Sequence, residues 1–227
     1  DNCEAESVIV VEPDNTNTVM GGLVGKTVAG DQIKSSIGIA DMTGFLMGGL
    51  AGQNNGSILN SFSNAKFTKA VSSHTRYMGG LVGDNEGLVE NCYSRVRVPV
   101  PATNYFGYLV GDNTGGTVKY SYAALTDYTV SGKEGTLEGL GTYGITQLPY
   151  LYKHRDTQVD ANNDYVPTGT DADKQLMIVL NNWVNHPDQA SGNYTKWGRP
   201  WQESDAQKPM NDDYPILKMP VGEAVAA

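Results

Sequence analysis

The sharpest chemistry in this sequence lies in two carboxylates. Asp84 and Asp112 each follow a Leu-Val-Gly triplet and each precede an asparagine, Asn85 and Asn113. If the two segments stack in register as neighbouring strands, the carboxylates stand on the order of 5 Å apart. At that separation they raise the pKa of one of the pair, share a cation, or meet the two-carboxylate geometry of a retaining glycosidase. The same column reads Lys26, Gln53, Asp84, Asp112, with Asn54, Asn85 and Asn113 beside it. A polar turn built from solvated carboxylates and stacked asparagines explains these residues without any ligand, and it is the reading favoured here. Asp84, Asn85, Asp112 and Asn113 are nevertheless the candidate ligand-binding residues.

A second constellation lies downstream. Asp160, Asn162, Asp164, Thr168 and Asp171 occupy positions one, three, five, nine and twelve of a loop, a spacing that can wrap Ca²⁺ ahead of a helix. Tyr165 stands where such a loop needs glycine, and Asp171 replaces the bidentate glutamate, so an ordinary acidic loop capping the helix is the competing reading. No other cofactor is expected. His74, His154 and His186 sit at no two-ligand spacing with one another or with a cysteine, which argues against zinc. His154-Arg-Asp156 lacks the nucleotide loop and lysine strand of a kinase, Gly21-Gly22 lacks a following helix to hold phosphate, and no Gly-x-Ser-x-Gly elbow occurs.

The elements that must position these residues come in repeats. Met20-Gly-Gly-Leu-Val-Gly25, Met47-Gly-Gly-Leu-Ala-Gly52, Met78-Gly-Gly-Leu-Val-Gly83 and Phe106-Gly-Tyr-Leu-Val-Gly111 are one block written four times, with last-glycine steps of 27, 31 and 28 residues. A second block follows each: Gln32-Ile-Lys-Ser-Ser-Ile37, Ser57-Ile-Leu-Asn-Ser-Phe62, Leu88-Val-Glu-Asn-Cys-Tyr93 and Thr117-Val-Lys-Tyr-Ser-Tyr122. Polar turns such as Asn54-Asn-Gly56, Asn85-Glu-Gly87 and Asn113-Thr-Gly-Gly116 separate the blocks, and their residues tolerate a left-handed backbone. Ala65-Lys-Phe-Thr68 and Arg95-Val-Arg-Val98 alternate as a third strand would. No unit holds an amphipathic helical stretch, and about thirty residues is short of a propeller blade. The expectation is an all-β parallel β-helix, or β-solenoid, of about four to five coils, since one unit alone cannot bury its apolar side. The coils fall near 20–46, 47–77, 78–105 and 106–131 within a repeat region of 1–144.

Gly-Gly-Leu-Val-Gly-x-Asn-x-Gly-x-Ile/Val-x-Asn-Ser/Cys-Tyr/Phe-Ser, best matched from Met78 to Ser94, resembles the GLUG repeat of bacterial extracellular and surface proteins. The resemblance spans roughly Asn2 to Leu125; the first unit departs at Lys26-Thr27 and the fourth at Tyr108. It implies secretion or surface display and an adhesin-like contact with glycan or protein, and it implies no catalytic residues.

Composition agrees with a narrow, regular core: 27 Gly, 10 Pro and only 4 Phe in 227 residues. A net charge of −9 argues against nucleic acid or an anionic membrane as partner. No run reaches the roughly twenty apolar residues that span a bilayer. The chain opens on Asn2-Cys-Glu-Ala-Glu-Ser-Val-Ile9, which aligns with Asn91-Cys-Tyr-Ser-Arg-Val-Arg-Val98 as the tail of a unit, so a secretion signal is expected to have lain upstream. In that alignment Cys3, Ser36, Ser61 and Cys92 share a column, which sets the cysteines three rungs, or roughly 14 Å, apart. That exceeds the roughly 7 Å limit for a disulfide, and two free thiols are expected.

Residues 145–227 read as a capping region that closes an exposed end of the solenoid. A helix is expected near 171–184, with N-cap candidates at Thr170-Asp-Ala-Asp173 and Leu176, Val179, Leu180 and Trp183 on one face. Trp183, Trp197, Trp201, Tyr214, Ile216 and Leu217 are expected to form a small core, in preference to a sugar-stacking platform. The function expected is a non-catalytic binding or spacer module outside the cell. The competing class is a polysaccharide lyase or glycoside hydrolase acting through Asp84 and Asp112, on fold analogy alone.

Overall fold

Each repeat unit folds into one four-sided rung, and the rungs stack in parallel as a β-solenoid. The computed structural model describes residues 1–10, 18–69, 77–97, 106–107, 109–113, 115–125, 150–152, 158–159, 165–166, 180–181, 183–198 and 216–217. The second rung shows the plan: strands Leu46–Gly48, Ala51–Asn54, Ser57–Leu59 and Phe62–Lys69 turn three corners and close the circuit. Three sides of the solenoid are four-stranded sheets, and the side carrying the long strands is six-stranded. The long side is extended by Glu4–Val10 beneath the first rung and by Tyr150–Tyr152 above the last.

The register is the one that the repeat alignment predicts. Ile33, Ile58, Val89 and Val118 are successive partners, as are Ile37, Phe62, Tyr93 and Tyr122. The amides of Leu23, Leu50 and Leu81 donate to the carbonyls of Leu50, Leu81 and Leu109 in turn. Leu50, Leu81 and Leu109 are fully buried with Ile58, Val89 and Val118 in one core. A second core, of Met20, Met47, Met78, Met42, Phe67 and Val96, lies between the first short side and the long side.

Four strands per rung, against the two or three expected, arise because the first block is two strands. Its Gly-Gly pair turns the corner between them. At Gly79 a Cβ would overlap the Val82 carbonyl oxygen and lie 2.6 Å from the Gly111 nitrogen, so no side chain fits there. A second difference concerns the left-handed residues. Within the described solenoid only Gly30, on the first rung, is left-handed at that turn; Asn54 to Gly56 and Asn85 to Gly87 are not, and the remaining left-handed residues fall one corner later, at Asn2, Ser35, Asn60, Asn91 and Tyr120, with φ between 46° and 54°. Asparagine tolerates this conformation best among residues with a Cβ, which accounts for three of the five.

Part of the C-terminal region packs on the side of the solenoid, away from the end where the cap is expected. Leu180, Asn181, Trp183 and Val184 are helical, matching the end of the expected helix, whereas 171–179 lie outside the described residues. A 3₁₀ turn, Pro187–Gly192, follows, and Trp197–Gly198 pairs with Ile216–Leu217 antiparallel. Leu180–Asn181, residues 183–198 and Ile216–Leu217 lie along the flank of the solenoid, whereas Tyr150–Tyr152 continues the long side beyond the last rung. Leu180, Trp183, Val184, Trp197 and Leu217 are buried against the outward column Ile37, Phe62 and Tyr93. The expected aromatic core is therefore formed jointly with the solenoid; Trp201 and Tyr214 lie outside the described residues.

Gly79→Ala should abolish the native thermal transition or lower stability by more than about 4 kcal/mol. Gly115→Ala, whose new methyl meets nothing closer than 3.6 Å, should stay within about 0.5 kcal/mol of the parent. Thermal melts followed by circular dichroism check both.

Candidate functional site

The second short side carries the candidate carboxylates. Lys26, Gln53, Asp84 and Asp112 are successive partners on adjacent rungs, as the sequence column requires. Asp84 and Asp112 are half-buried, and Gln53 Nε2 donates to Asp84 Oδ2 at 3.1 Å. At the next corner the Asn55 side-chain amide donates to Glu86. The result is a polar outer stripe, acidic on its later rungs. Among the described residues no three His, Cys, Asp or Glu side chains come together in a metal-binding group.

Asn85 and Asn113 turn the other way. Thr27 Oγ1 donates to Asn54 Oδ1 (2.8 Å), Asn54 Nδ2 to Asn85 Oδ1 (2.8 Å), and Asn85 Nδ2 to Asn113 Oδ1 (2.6 Å), all inside the coil. Both Asn85 and Asn113 are buried, out of reach of a ligand, and so leave the candidate binding set. A primary amide can both donate to and accept from a copy of itself, which lets it stack through a core at no cost in unpaired groups. Stacked carboxylates in that position would repel and lose their hydration.

A second inward column closes the next corner. The amides of Cys3, Ser36, Ser61 and Cys92 donate to Ser36 Oγ, Ser61 Oγ, Cys92 Sγ and Ser121 Oγ in turn. Ser36, Ser61, Cys92 and Ser121 each also donate back to the carbonyl two residues earlier. Both cysteines are free, Cys3 exposed and Cys92 buried. Burial pushes the Cys92 thiol from 9.0 up to about 12, so it is inert in the folded protein. The recurring dipeptides Asn2-Cys3, Asn60-Ser61 and Asn91-Cys92 were the signal for this corner, in which the first residue turns the backbone and the second ties it to the next rung.

The outward asparagines of this corner are occupied by the chain itself. Asn60 Nδ2 donates to the Thr195 carbonyl (2.7 Å) and Asn91 Nδ2 to the Leu180 carbonyl (3.2 Å). Trp197 Nε1 donates to Asn60 Oδ1 at 2.7 Å. Phe62 and Tyr93 stack with centroids 5.0 Å apart, and Trp197 tilts against both. Trp183 and Trp197 are thus buried, not displayed as a stacking platform. Burial, with the Glu90 carboxylate adding to it, holds the Tyr194 phenol above its usual 10.

Asp160, Asn162, Asp164, Thr168 and Asp171, the calcium candidates, lie outside the described residues. Around them, Gln158–Val159 pairs with Tyr165–Val166 as an antiparallel hairpin. His74 and His154 also lie outside; His186 is exposed and accepts from the Asp188 amide at the start of the 3₁₀ turn.

Comparison with protein-family models, with curated proteins and with solved structures finds no match to this chain.

Asn85→Ala should cost about 2–3 kcal/mol, because it removes two buried amide–amide hydrogen bonds, one from Asn54 and one to Asn113; chemical denaturation measures it. In thiol titration, one thiol should react in the native protein and two after unfolding. Between about pH 9 and about pH 12 the native state holds the Cys92 proton more tightly than the unfolded state does. Its stabilising contribution is therefore complete below about pH 9 and lost as pH rises through that window. Cys92→Ser, which matches the other residues of its column, should remain within about 1 kcal/mol of the parent and lose this alkaline dependence.

Proposed function

We propose that this chain is a non-catalytic extracellular or cell-surface module of the GLUG-repeat type, adhesin-like, that binds glycan or protein through a solenoid face or its loops, or spaces another domain from a surface. One observation carries the reading: the polar columns that resemble chemistry are mostly used by the fold. Asn54, Asn85 and Asn113 satisfy one another inside, the Ser and Cys column closes a corner, and Asn60 and Asn91 hold the flanking segment. What faces outward is the stripe Lys26, Gln53, Asp84 and Asp112, half-buried beyond its exposed first residue. A stripe of amide and carboxylate acceptors at about 4.8 Å intervals suits the hydroxyls of an extended glycan or the amides of a protein segment. The net charge of −9 disfavours nucleic acid. The loop Asp160 to Asp171 is the proposed place for calcium, the only cofactor this reading admits. Among the described residues no helix is long and apolar enough to cross a membrane.

A polysaccharide panel scored for both cleavage and binding tests the proposal. The wild-type chain should cleave nothing, and Asp84→Asn with Asp112→Asn should leave glycan or protein binding within about threefold, since amides keep the acceptor oxygens. Cleavage by the wild type that disappears in the double variant would establish the carbohydrate-active enzyme instead.

A further inference from the structure

In a solenoid each rung touches only its neighbours, so a terminal rung opens at the cost of one interface. The flanking segment changes that arithmetic here. From its last described residues backward, it is tied to every level of the early solenoid. Thr195 Oγ1 donates to Asn2 Oδ1 (2.7 Å), before the first rung. On the first rung Lys34 Nζ donates to the Gly192 carbonyl (2.9 Å), and the Thr195 amide donates to Ser35 Oγ (3.1 Å). The second rung binds through Asn60, and the third through Asn91 and through Glu90, which accepts from Trp183 Nε1 at 3.0 Å. The segment also holds itself together: Asn181 accepts from the Trp197 amide and donates to the Trp197 carbonyl.

We infer that residues 180–181 and 183–198 form a longitudinal strap that couples the first rung directly to the second and third, so that the early solenoid opens as one unit and does not fray rung by rung. The bonds join residues up to 193 positions apart in sequence, a range that neighbour stacking alone does not give. To open, the first rung must release the strap, yet the strap remains bonded and packed against the rungs beyond. The apolar contacts act in the same sense, because Ile37, Phe62 and Tyr93 of three successive rungs share one cluster with Leu180, Trp183 and Trp197. The role is independent of what the module binds.

Native-state hydrogen exchange on the full chain tests this. In the parent, the amides of Leu23, Val24 and Thr27 on the first rung should open with the same free energy as those of Leu81 and Val82 on the third. These residues lie on the first turn and second side of their rungs, away from the corner that the strap covers. Trp197→Ala should raise exchange at Leu23, Val24 and Thr27 by about tenfold or more while Leu81 and Val82 change much less. Asn181→Ala, whose two lost bonds lie within the strap, should produce the same pattern more weakly. First-rung amides that already exchange far faster than third-rung amides in the parent overturn the inference. So does a variant in which only residues 180–181 and 183–198 exchange faster.

Discussion

Parallel stacking in strict register is the constraint on which the rest of this structure depends. When every residue lies over its own equivalent, a side chain inside the coil must be able to pack against, or bond to, something like itself. Leucine, isoleucine and methionine do so by contact. Asparagine does so because one amide supplies both donor and acceptor, and the inward ladder Asn54, Asn85, Asn113 follows. Aspartate has only acceptors and a charge, so the neighbouring column Asp84, Asp112 turns to water. The Asp-Asn dipeptide is therefore sorted by self-pairing chemistry, one residue to each side of the wall.

Corners obey the same rule with different residues. Backbone reversal at Asn2, Ser35, Asn60, Asn91 and Tyr120 needs a left-handed residue, and the residue after each ties the corner to the adjacent rung. Cys92 fits because its sulfur takes the place of a serine oxygen in both bonds. The flanking segment departs from this one-dimensional logic. It reads several rungs at once, by side-chain amides that capture its carbonyls and by aromatic rings packed on the outward column.

Most of the solenoid was legible because repetition reports register directly. The alignment of Ile33 with Ile58, Val89 and Val118, and of Cys3 with Cys92 through Ser36 and Ser61, needed no knowledge of the strands. The facing of single residues was less legible. Ile58, Leu59, Asn60 and Ser61 are all buried, which hides the alternation of inside and outside. The structure supplies a reason: Ile58 is buried by the core, whereas Asn60 is buried from outside by Thr195 and Trp197. A contact between residues so far apart leaves no local pattern, and for the same reason the flank position of the C-terminal segment could not be read, only its helix end and aromatic content. Asn85 and Asn113 were set beside the carboxylates because they are adjacent in sequence, although adjacent residues of a strand face opposite ways.

The most direct test of this account is scalar coupling across hydrogen bonds in nuclear magnetic resonance, which links an amide nitrogen to the carbonyl carbon that accepts its proton. The account predicts cross-peaks from Leu23 nitrogen to Leu50 carbonyl, Leu50 to Leu81, and Leu81 to Leu109. Couplings from these amides to carbonyls outside the leucine column, or one residue out of step along it, would contradict the stacked register.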